Sequence, residues 1–487
     1  MSKPAVIMVT SNGVGAGHLI RASAIARELQ PDARPIIFSM AYSVVEVASA
    51  LNLECEYVPS RDKGLMPKKK WDRYLRDRLV ALIDETGASV VTFDGVVPYP
   101  GIIAAKFARP QTSLVWVRRG MWQRKPQGAL LALQSKLMDH VIEPGDVARE
   151  ADLGPTKERK EAVLMNPVTL YRKERALKRS EARAFLGLDL EKPSVLVQMG
   201  VGNSDLDARV SAVLKGLDGW QDLQIVMPRE PRDQDGRSLV PSGMTVKVIR
   251  HFPLADVLHA FDAAVCAAGY NSVHEVIPAG LPTLFIANNR GTDDQIARAR
   301  WCADNALALF ASNDSLPDIE SQTAKLKFQT LRVELTKNCL AVNEFDGAKE
   351  IAGLVKLLTN ESYKNLMYKR IEYQRFLAIN FLSKSPSFHL RRLVNLSLRG
   401  LGLIYRAIRP HNNMPVANGE VVFSYSRDYK SLDKYIRSQE RFEHLLAGSS
   451  NSYLNRRKEI SKSAFGEVEL IPAIEQSDDI INLKFAS

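Results

Sequence analysis

The stretch of sequence that decides the fold runs from residue 5 to residue 29 and reads AVIMVTSNGVGAGHLIRASAIAREL. Its first six residues form an apolar run that predicts a buried strand, Ala5 to Thr10. A glycine-rich turn follows, and the apolar residues from Leu19 to Leu29 then recur with helical spacing. A strand, a glycine turn and a helix in direct succession are typical of the first unit of a parallel α/β sheet.

The same alternation of short strands and helices continues to about residue 360. A polar, basic stretch at 154–179 separates a first set of predicted strands from a second set. We therefore predict an α/β protein with two Rossmann-like halves, whose sheets face each other across a central cleft. The predicted domains are two Rossmann-like ones, 1–165 and 166–358, followed by a helical basic extension with a partly ordered tail, 359–487.

Composition excludes several classes of protein. The chain has 487 residues, of which 45% are hydrophobic and 25% charged, so it has enough apolar surface to form packed cores. No signal-like segment or long apolar span is evident, which predicts a cytoplasmic protein, at most peripheral on the inner face of the cell membrane. The cysteines are far apart and form no CxxC motif, so they are expected to be reduced core thiols: Cys55, Cys266, Cys302 and Cys339.

The net charge of +11 is concentrated in one C-terminal segment. Between Tyr363 and Pro410 there are ten Lys and Arg residues against one acid, Glu372. Leu and Ile recur among these cations at helical intervals, which suits a helix pair lying on an anionic bilayer. The alternative is a solvent-exposed basic surface around a C-terminal helix that crosses back to the first half of the chain and packs there.

The turn between Ser11 and His18 predicts a phosphate or substrate loop. Its glycines allow close backbone approach to a ligand, and the amino terminus of the helix attracts negative charge. It lacks the Lys-Ser/Thr of a P-loop, and no acidic residue closes the second strand as in a dinucleotide fingerprint. A glycine turn after a first strand is also common without any function.

His18 stands in the first turn of the helix, where an imidazole can act as a general base near neutral pH. Asp94 ends another strand, whose carboxyl end should lie beside the glycine turn. A carboxylate there would hold the imidazole tautomer and stabilise its cation. We predict a catalytic pair of His18 and Asp94, the alternative being a histidine that caps or packs on its own helix.

In the second half, the sequence from Cys266 to Glu275 passes from a strand into a helix. Backbone amides and the Ser272 hydroxyl at the helix start suit phosphates. The carboxylate of Glu275, one turn later, can accept two hydrogen bonds from a ribose diol. Taken alone, Glu275 is equally an acid favoured by the helix dipole.

Together these motifs resemble the GT-B nucleotide-sugar glycosyltransferases with a family 28-type C-terminal domain, as in the enzymes that add N-acetylglucosamine to lipid I. The resemblance covers about residues 3–358. The glycine-rich opening of that family appears at 13–18, and its Ser-Gly-x-x-Thr-x-x-Glu pattern appears as Ala268-Gly269-x-x-Ser272-x-x-Glu275. Its sugar-reading pair appears as Asp294-Gln295.

The resemblance implies an inverting transfer of a sugar from a nucleotide donor, UDP-linked, to a hydroxyl acceptor, in glycan or polysaccharide biosynthesis. The resemblance implies that domain 1–165 binds the acceptor and domain 166–358 the nucleotide sugar. In that family the glutamate binds the ribose, the helix start binds the diphosphate, and the loop that matches His251-Phe252 packs on the base. The implied donor-binding residues are Gly200, Gly202, Asn203, His251, Phe252, Gly269, Asn271, Ser272, Glu275, Asp294 and Gln295.

The acceptor side departs from that family. Thr169 replaces an arginine that follows Asn-Pro-Val, and the segment 118–125 is strongly basic where lipid I transferases have a neutral loop. This predicts an anionic or lipid-linked acceptor, or membrane headgroups, and argues against a cell-wall role; no nucleic-acid-binding module is present. The expected acceptor-binding residues are Gly15, Gly17, Arg118, Arg119 and Trp122.

Two alternatives share most of these features. The pattern Gly15-x-Gly17-His18-x-x-Arg21 also resembles the nucleotide-sugar hydrolases of pseudaminic acid synthesis, in which water takes the place of the acceptor. The second alternative is a non-catalytic protein that binds a nucleotide and a membrane. Because helix dipoles can stabilise a leaving diphosphate, and because neither Asp205/Asp207 nor Asp233/Asp235 follows a strand end, no metal or other cofactor is predicted.

Overall fold

The computed structural model describes residues 3–11, 16–61, 67–123, 131, 134–157, 159–200, 205–228, 246–343 and 345–361, with four short strands nearer the C-terminus. The chain forms two compact units. The first comprises Met1–Ser60, Ile83–Pro98 and Thr112–Asn360, and it contains both large sheets. The second comprises Arg61–Leu82, Tyr99–Gln111 and Glu361–Ser487. The three domain boundaries drawn from the sequence stay a prediction.

The first sheet has seven parallel strands in the order β3-β2-β1-β4-β5-β6-β7. One of its inner strands is the apolar run at 5–10, in which all six residues are buried, as expected for a parallel sheet covered on both faces. The strands are β1 Ala5–Thr10, β2 Arg34–Ser39, β3 Glu54–Tyr57, β4 Val90–Asp94, β5 Ser113–Val117, β6 His140–Glu143 and β7 Val163–Leu164, and the helices are α1 Gly17–Leu29, α2 Val44–Ala50, α3 Lys68–Thr86 and α4 Pro100–Ala108.

The second sheet has six parallel strands in the order β10-β9-β8-β11-β12-β13. Val195, Val197, Leu284 and Ile286 of this sheet share one apolar core with the helix at 206–217. The strands are β8 Ser194–Gln198, β9 Gln224–Pro228, β10 Val246–Ile249, β11 Ala263–Ala267, β12 Thr283–Ile286 and β13 Leu309–Ala311, and the helices are α5 Arg179–Leu186, α6 Leu206–Leu217, α7 Tyr270–Val276, α8 Gln295–Asp304, α9 Leu316–Ala324, α10 Gln329–Leu340 and α11 Gly347–Leu358.

The predicted pair of Rossmann-like sheets is confirmed, and three further strands were not predicted. Strand β3 has the sequence ECEY, and its two glutamates do not fit the apolar pattern expected of a buried strand. Glu56 is nevertheless fully buried. Strands β7 and β13 have only two and three residues, too few to show a period.

The connection between the halves passes through Asn166 and Pro167. Asn166 donates to Glu350 from its backbone nitrogen at 2.8 Å and from its side chain at 2.5 Å. Helix α11 starts so close to this connection that a Cβ on Gly347 would lie 1.9 Å from the Asn166 carbonyl oxygen, so only glycine fits there. Helix α11 then packs on α1 and returns the chain to the first sheet.

Near the C-terminus four short antiparallel strands pair in the order β14-β15-β17-β16. They are β14 Val416–Ala417, β15 Glu420–Val421, β16 Val468–Glu469 and β17 Lys484–Phe485. The predicted basic helical segment at 363–410 lies outside the described residues. Among the helices that are described, none combines the length and the apolar character needed to span a bilayer.

All four cysteines are buried and free, as the sequence predicted. Burial raises the pKa of the Cys55 and Cys339 thiols to about 12. They are packing residues of the two sheets and their helices.

Candidate active site

His18 and Asp94 meet where β1 and β4 end. The two strands are neighbours with Thr10 opposite Asp94, so the turn after β1 passes beside the carboxylate. His18 lies in the first turn of α1, and its Nδ1 is 2.7 Å from Asp94 Oδ1, which confirms the predicted contact. Because the carboxylate oxygen is an acceptor, Nδ1 carries the proton and Nε2 keeps its lone pair.

Asp94 is 1% exposed and is held by a second partner, Arg21. The Arg21 Nε donates to Asp94 Oδ2 at 2.8 Å, and its Nη2 donates to Oδ1. Burial alone would raise the pKa of Asp94, but Arg21 and His18 bring it below its ordinary value. Burial lowers the pKa of His18, Arg21 and Arg119 lower it further, and Asp94 opposes them. The imidazole is therefore neutral, and the carboxylate ionised, at neutral pH.

The start of α7 lies against the start of α1. Asn271 Nδ2 donates to the Gly17 carbonyl at 3.2 Å. The Tyr270 hydroxyl donates to the Gly145 carbonyl at 2.8 Å and accepts from the Val168 nitrogen at 2.9 Å, which fixes the first turn of α7. The helix that carries the predicted base and the helix predicted to bind the diphosphate thus begin side by side.

Glu275 lies in the last turn of α7 and is half-buried. Burial raises the pKa of its carboxyl to about 8, and Asp256 adds to the shift. No hydrogen-bond partner of this carboxyl is found among the described residues. A half-buried carboxyl without a partner is open to hydroxyl donors from a ligand, as the predicted ribose contact requires.

The predicted base-binding residues follow β10. His251 and Phe252 are both half-buried, and the His251 ring stands edge-on to Phe185 with centroids 4.8 Å apart. Burial lowers the pKa of His251. Gly200 ends the run after β8 with φ +70°, and a Cβ there would lie 3.2 Å from Asn288 Nδ2. Three predicted site residues lie outside the described part of the chain: Gly15, Gly202 and Asn203.

The predicted sugar-reading pair is engaged within the protein. Asp294 caps α8, since its Oδ1 accepts from the Ala297 nitrogen at 3.0 Å. Gln295 is 5% exposed; its Oε1 accepts from the Asn288 nitrogen at 2.9 Å and its Nε2 donates to Asp293 Oδ2 at 3.0 Å. These bonds stabilise the start of α8, because a helix start needs a cap and a buried amide needs partners. The sugar-reading role of Asp294 and Gln295 stays a prediction.

The predicted acceptor-binding cations are paired as well. Arg118 is fully buried and donates to Glu161 at 2.9 Å and to Glu143 at 3.4 Å. Arg119 is 8% exposed and forms an ion pair with Asp293, and Trp122, 4% exposed, forms an isolated β-bridge with Asp293. The sequence predicted an open basic face here. Buried guanidinium groups require counter-charges, and the chain supplies them.

The segment after β5 is instead bound to the loop after β12. The Asp294 nitrogen donates to the Met121 carbonyl at 2.9 Å, and the Gln123 nitrogen donates to the Thr292 carbonyl at 3.3 Å. A second ion pair lies nearby, in which the fully buried Arg298 donates to Asp146 at 2.9 Å and to Asp293 at 3.1 Å. Burial would raise the pKa of Asp146, but Arg298 lowers it.

Sequence reasoning missed the four residues of this charge cluster as a group: Arg119, Asp146, Asp293 and Arg298. It also missed His274, which is buried, donates from Nδ1 to the Tyr270 carbonyl and accepts from the Val147 nitrogen at 3.0 Å. Burial lowers the pKa of His274 to about 4. One signal was available: Asp146 follows a strand end in Glu143-Pro-Gly-Asp146, at the edge where ligands bind in parallel sheets.

No three His, Cys, Asp or Glu side chains form a metal-binding group within the described residues. Asp205 is paired with Arg209 at 2.7 Å, and positions 233 and 235 lie outside the described residues. Independence from metal stays a prediction.

No model of a known protein family matches the chain. Sequence relatives are lipid-linked sugar transferases, named UDP-N-acetylglucosamine--N-acetylmuramyl-(pentapeptide) pyrophosphoryl-undecaprenol N-acetylglucosamine transferase. The relative from Acidothermus cellulolyticus is 27% identical over 381 residues, 72% of this chain and 97% of its own. The one from Saccharopolyspora erythraea is 26% identical over 323 residues, 62% of this chain and 79% of its own.

Solved structures share the fold. The kitacinnamycin glycotransferase has a TM-score of 0.50 at 16% identity and covers 74% of this chain and all of its own. A candidate UDP-N-acetylglucosamine 2-epimerase of Listeria monocytogenes has a TM-score of 0.52 at 13% identity, over 74% of this chain and 98% of its own. Because the fold serves both transferases and an epimerase-like protein, it does not by itself decide the chemistry.

The buried charge cluster predicts strong coupling between the two sheets. In a double-mutant cycle of Arg119→Met and Asp293→Asn, the coupling in the free energy of unfolding should be about 1–3 kcal/mol, because each single change leaves the four-charge cluster with an uncompensated net charge. Urea unfolding followed by tryptophan fluorescence measures it. The control pair is Arg250–Glu46, which also joins the two sheets but has an arginine 72% exposed, and its coupling should stay below about 0.5 kcal/mol. Equal coupling in both cycles would contradict the prediction.

Proposed function

We propose that this chain, a glycosyltransferase with the GT-B fold, transfers a sugar from a UDP-linked donor to a hydroxyl group of a lipid-linked acceptor, with inversion at the anomeric carbon. The observation that carries the proposal is the His18–Asp94 pair, 2.7 Å apart and beside the start of α7. This arrangement puts a neutral base next to the helix expected to receive the leaving diphosphate.

The residues suggest the following chemistry. His18 Nε2 takes the proton of the acceptor hydroxyl while the oxygen attacks the anomeric carbon. The imidazolium that forms is stabilised by Asp94, whose Oδ1 holds the Nδ1 proton throughout. Inversion requires the acceptor oxygen to attack the anomeric carbon from the side of α1 while the bond to the diphosphate breaks on the opposite face of the sugar, with the diphosphate leaving toward α7.

Support for the donor comes from Glu275 and from the relatives. The unpartnered carboxyl of Glu275 suits a ribose diol, and His251 and Phe252 follow a neighbouring strand end as a base-binding loop would. The relatives are named for a UDP-N-acetylglucosamine donor. Gln295 is bonded to Asp293 and Asn288 through one position each of its amide nitrogen and oxygen, so its proposed contact with the sugar would use the second position of either atom.

The proposed acceptor is supported by the names of the relatives. The relatives are named for a pyrophosphoryl-undecaprenol-linked acceptor, so a hydroxyl group on a lipid-linked glycan is the chemistry we propose. Arg118 and Arg119 contribute through the loop that they hold in place, because both are paired with carboxylates of the chain.

The first test uses a panel of nucleotide sugars with and without lipid extract. The wild-type protein should release UDP from its donor only when an acceptor is present, and His18→Ala should lower the rate by about 10²- to 10⁴-fold while UDP still binds. His140→Ala, at the amino end of β6, is the matched control and should keep the wild-type rate. UDP release without acceptor would point to a hydrolase, and full activity of His18→Ala would remove the proposed base.

The second test concerns Glu275. Because the pKa of its carboxyl is about 8 in the free protein, the acid is mostly protonated at pH 7 and must ionise to accept both ribose hydroxyls. UDP should therefore bind about tenfold more tightly at pH 9 than at pH 7 and release a proton on binding. Calorimetry in buffers of different ionisation enthalpy measures both effects. Glu275→Gln should bind weakly and without this pH dependence; a wild-type profile in this variant would exclude the carboxylate.

The third test concerns a proposed association of the protein with an anionic membrane surface. This proposal is based on the ten Lys and Arg residues at 363–410. The full chain should float with anionic vesicles at low salt and dissociate at high salt, since each cation contributes about 1 kcal/mol. A chain ending at Thr359 should lose binding. Equal binding to neutral vesicles, or no loss on truncation, would exclude an electrostatic anchor.

A further inference from the structure

Asp94 is shared between a neutral imidazole and a guanidinium, and this arrangement differs from a simple histidine-carboxylate pair. His18 Nδ1 and Arg21 Nη2 both contact Asp94 Oδ1, and Arg21 Nε occupies Oδ2 at 2.8 Å. Arg21 is 2% exposed and its Nη2 lies 3.3 Å from His18 Nδ1. The carboxylate thus has a full counter-charge before any proton reaches His18.

The electrostatic consequence follows from charge alone. An isolated carboxylate beside an imidazole favours the imidazolium, so a smaller fraction of the histidine is unprotonated and able to accept a proton in the resting enzyme. When a guanidinium neutralises that carboxylate, the imidazole is next to a nearly neutral ion pair in a buried site, and its neutral form is favoured. The other charged group that faces His18 is Arg119, on the segment after β5, which acts in the same direction.

Arg21 is itself locked in place from the opposite sheet. Its guanidinium lies over the Tyr270 ring, 5.0 Å from the centroid, and the Tyr270 hydroxyl is bonded to Gly145 and Val168 at both of its hydrogen-bonding positions. Asp293 and Tyr270 act on Arg21 from the side of the second sheet. The guanidinium cannot leave Asp94 without breaking contacts on three elements.

We propose that Arg21 is a positioning residue that keeps the His18 base unprotonated in the resting enzyme and fixes its Nδ1–H tautomer through Asp94. The proposal rests on the proposed role of His18 as the base. A purely structural role is the competing explanation, because any buried carboxylate needs a counter-charge. The two differ in one measurable property, the protonation equilibrium of His18.

The experiment is an NMR titration of the His18 ring in the full chain labelled at its histidines, with the resonance among the eight assigned by a His18→Gln variant. In the wild type, His18 should titrate below the ordinary value of 6.5 despite its contact with Asp94. In Arg21→Gln the titration should move up by about one pH unit or more, because a cation within a few ångströms is lost. Arg21→Lys keeps the charge and should move it less.

Arg27→Gln, farther along the same helix, is the matched control and should leave the His18 titration unchanged. With a competent donor and acceptor, the acid limb of kcat/KM should shift upward in Arg21→Gln by the same amount, so that activity returns at high pH. A wild-type His18 that titrates above about 7, as a plain histidine-carboxylate pair would, overturns the proposal even if Arg21→Gln does not fold. So does an unchanged titration in folded Arg21→Gln.

Failure of the proposed function would look different. If His18 titrates as expected but His18→Ala retains turnover, the histidine is not the base, while the electrostatic role of Arg21 stands.

Discussion

Four buried charges alternate in sign between the two sheets, and the position of the site depends on them. Asp146 and Arg119 follow strands of the first sheet, whereas Arg298 and Asp293 belong to the second. Removing one member would leave the remaining three with an uncompensated charge in a medium of low polarity, which is destabilising. Two surfaces held together by apolar contacts alone can shift relative to each other. A directional ion pair instead specifies which residue of one half lies opposite which residue of the other. The turn with His18 and the helix with Glu275 therefore face each other in a fixed register.

The same principle separates ligand-binding groups from supporting groups within the site. Some predicted site residues have polar partners within the chain, and these contacts stabilise the fold: Asp294, Gln295, Arg118 and Arg119. Among the described site residues, unused hydrogen-bonding capacity remains at Nε2 of His18 and at the carboxyl of Glu275, and also at the buried Nε2 of His251 and Nε1 of Trp122. A polar group that the fold leaves buried and unpaired is destabilising unless a ligand completes it. The proposed reaction uses the first two of these groups directly.

The sequence was sufficient for the two sheets and for the His18–Asp94 contact, because both follow from strand periodicity and from the rule that parallel strand ends share one edge. It was insufficient for the state of the side chains. Arg118 could face an acceptor or pair with Glu161, and which of these occurs depends on whether its side chain is buried. A run of basic residues in the sequence does not show which of its side chains are buried. Strand β3, with its two glutamates, shows the same limit, since tertiary pairing and not local pattern made it a strand. Asp294 fitted a sugar-reading motif and a helix cap equally well, and the structure shows it capping α8.

The connection at Asn166 joins two halves that each carry a large sheet, so it is a natural place at which to exchange one half for that of a relative. In this chain the junction at Asn166 would separate Arg119 from Asp293 and Asp146 from Arg298. A hybrid built from one half of this protein and the other half of a relative would bring unmatched charges into a buried interface. Such hybrids should be viable only when both pairs are inherited from the same parent or restored together, so the two halves of the chain are constrained to change in concert across this boundary.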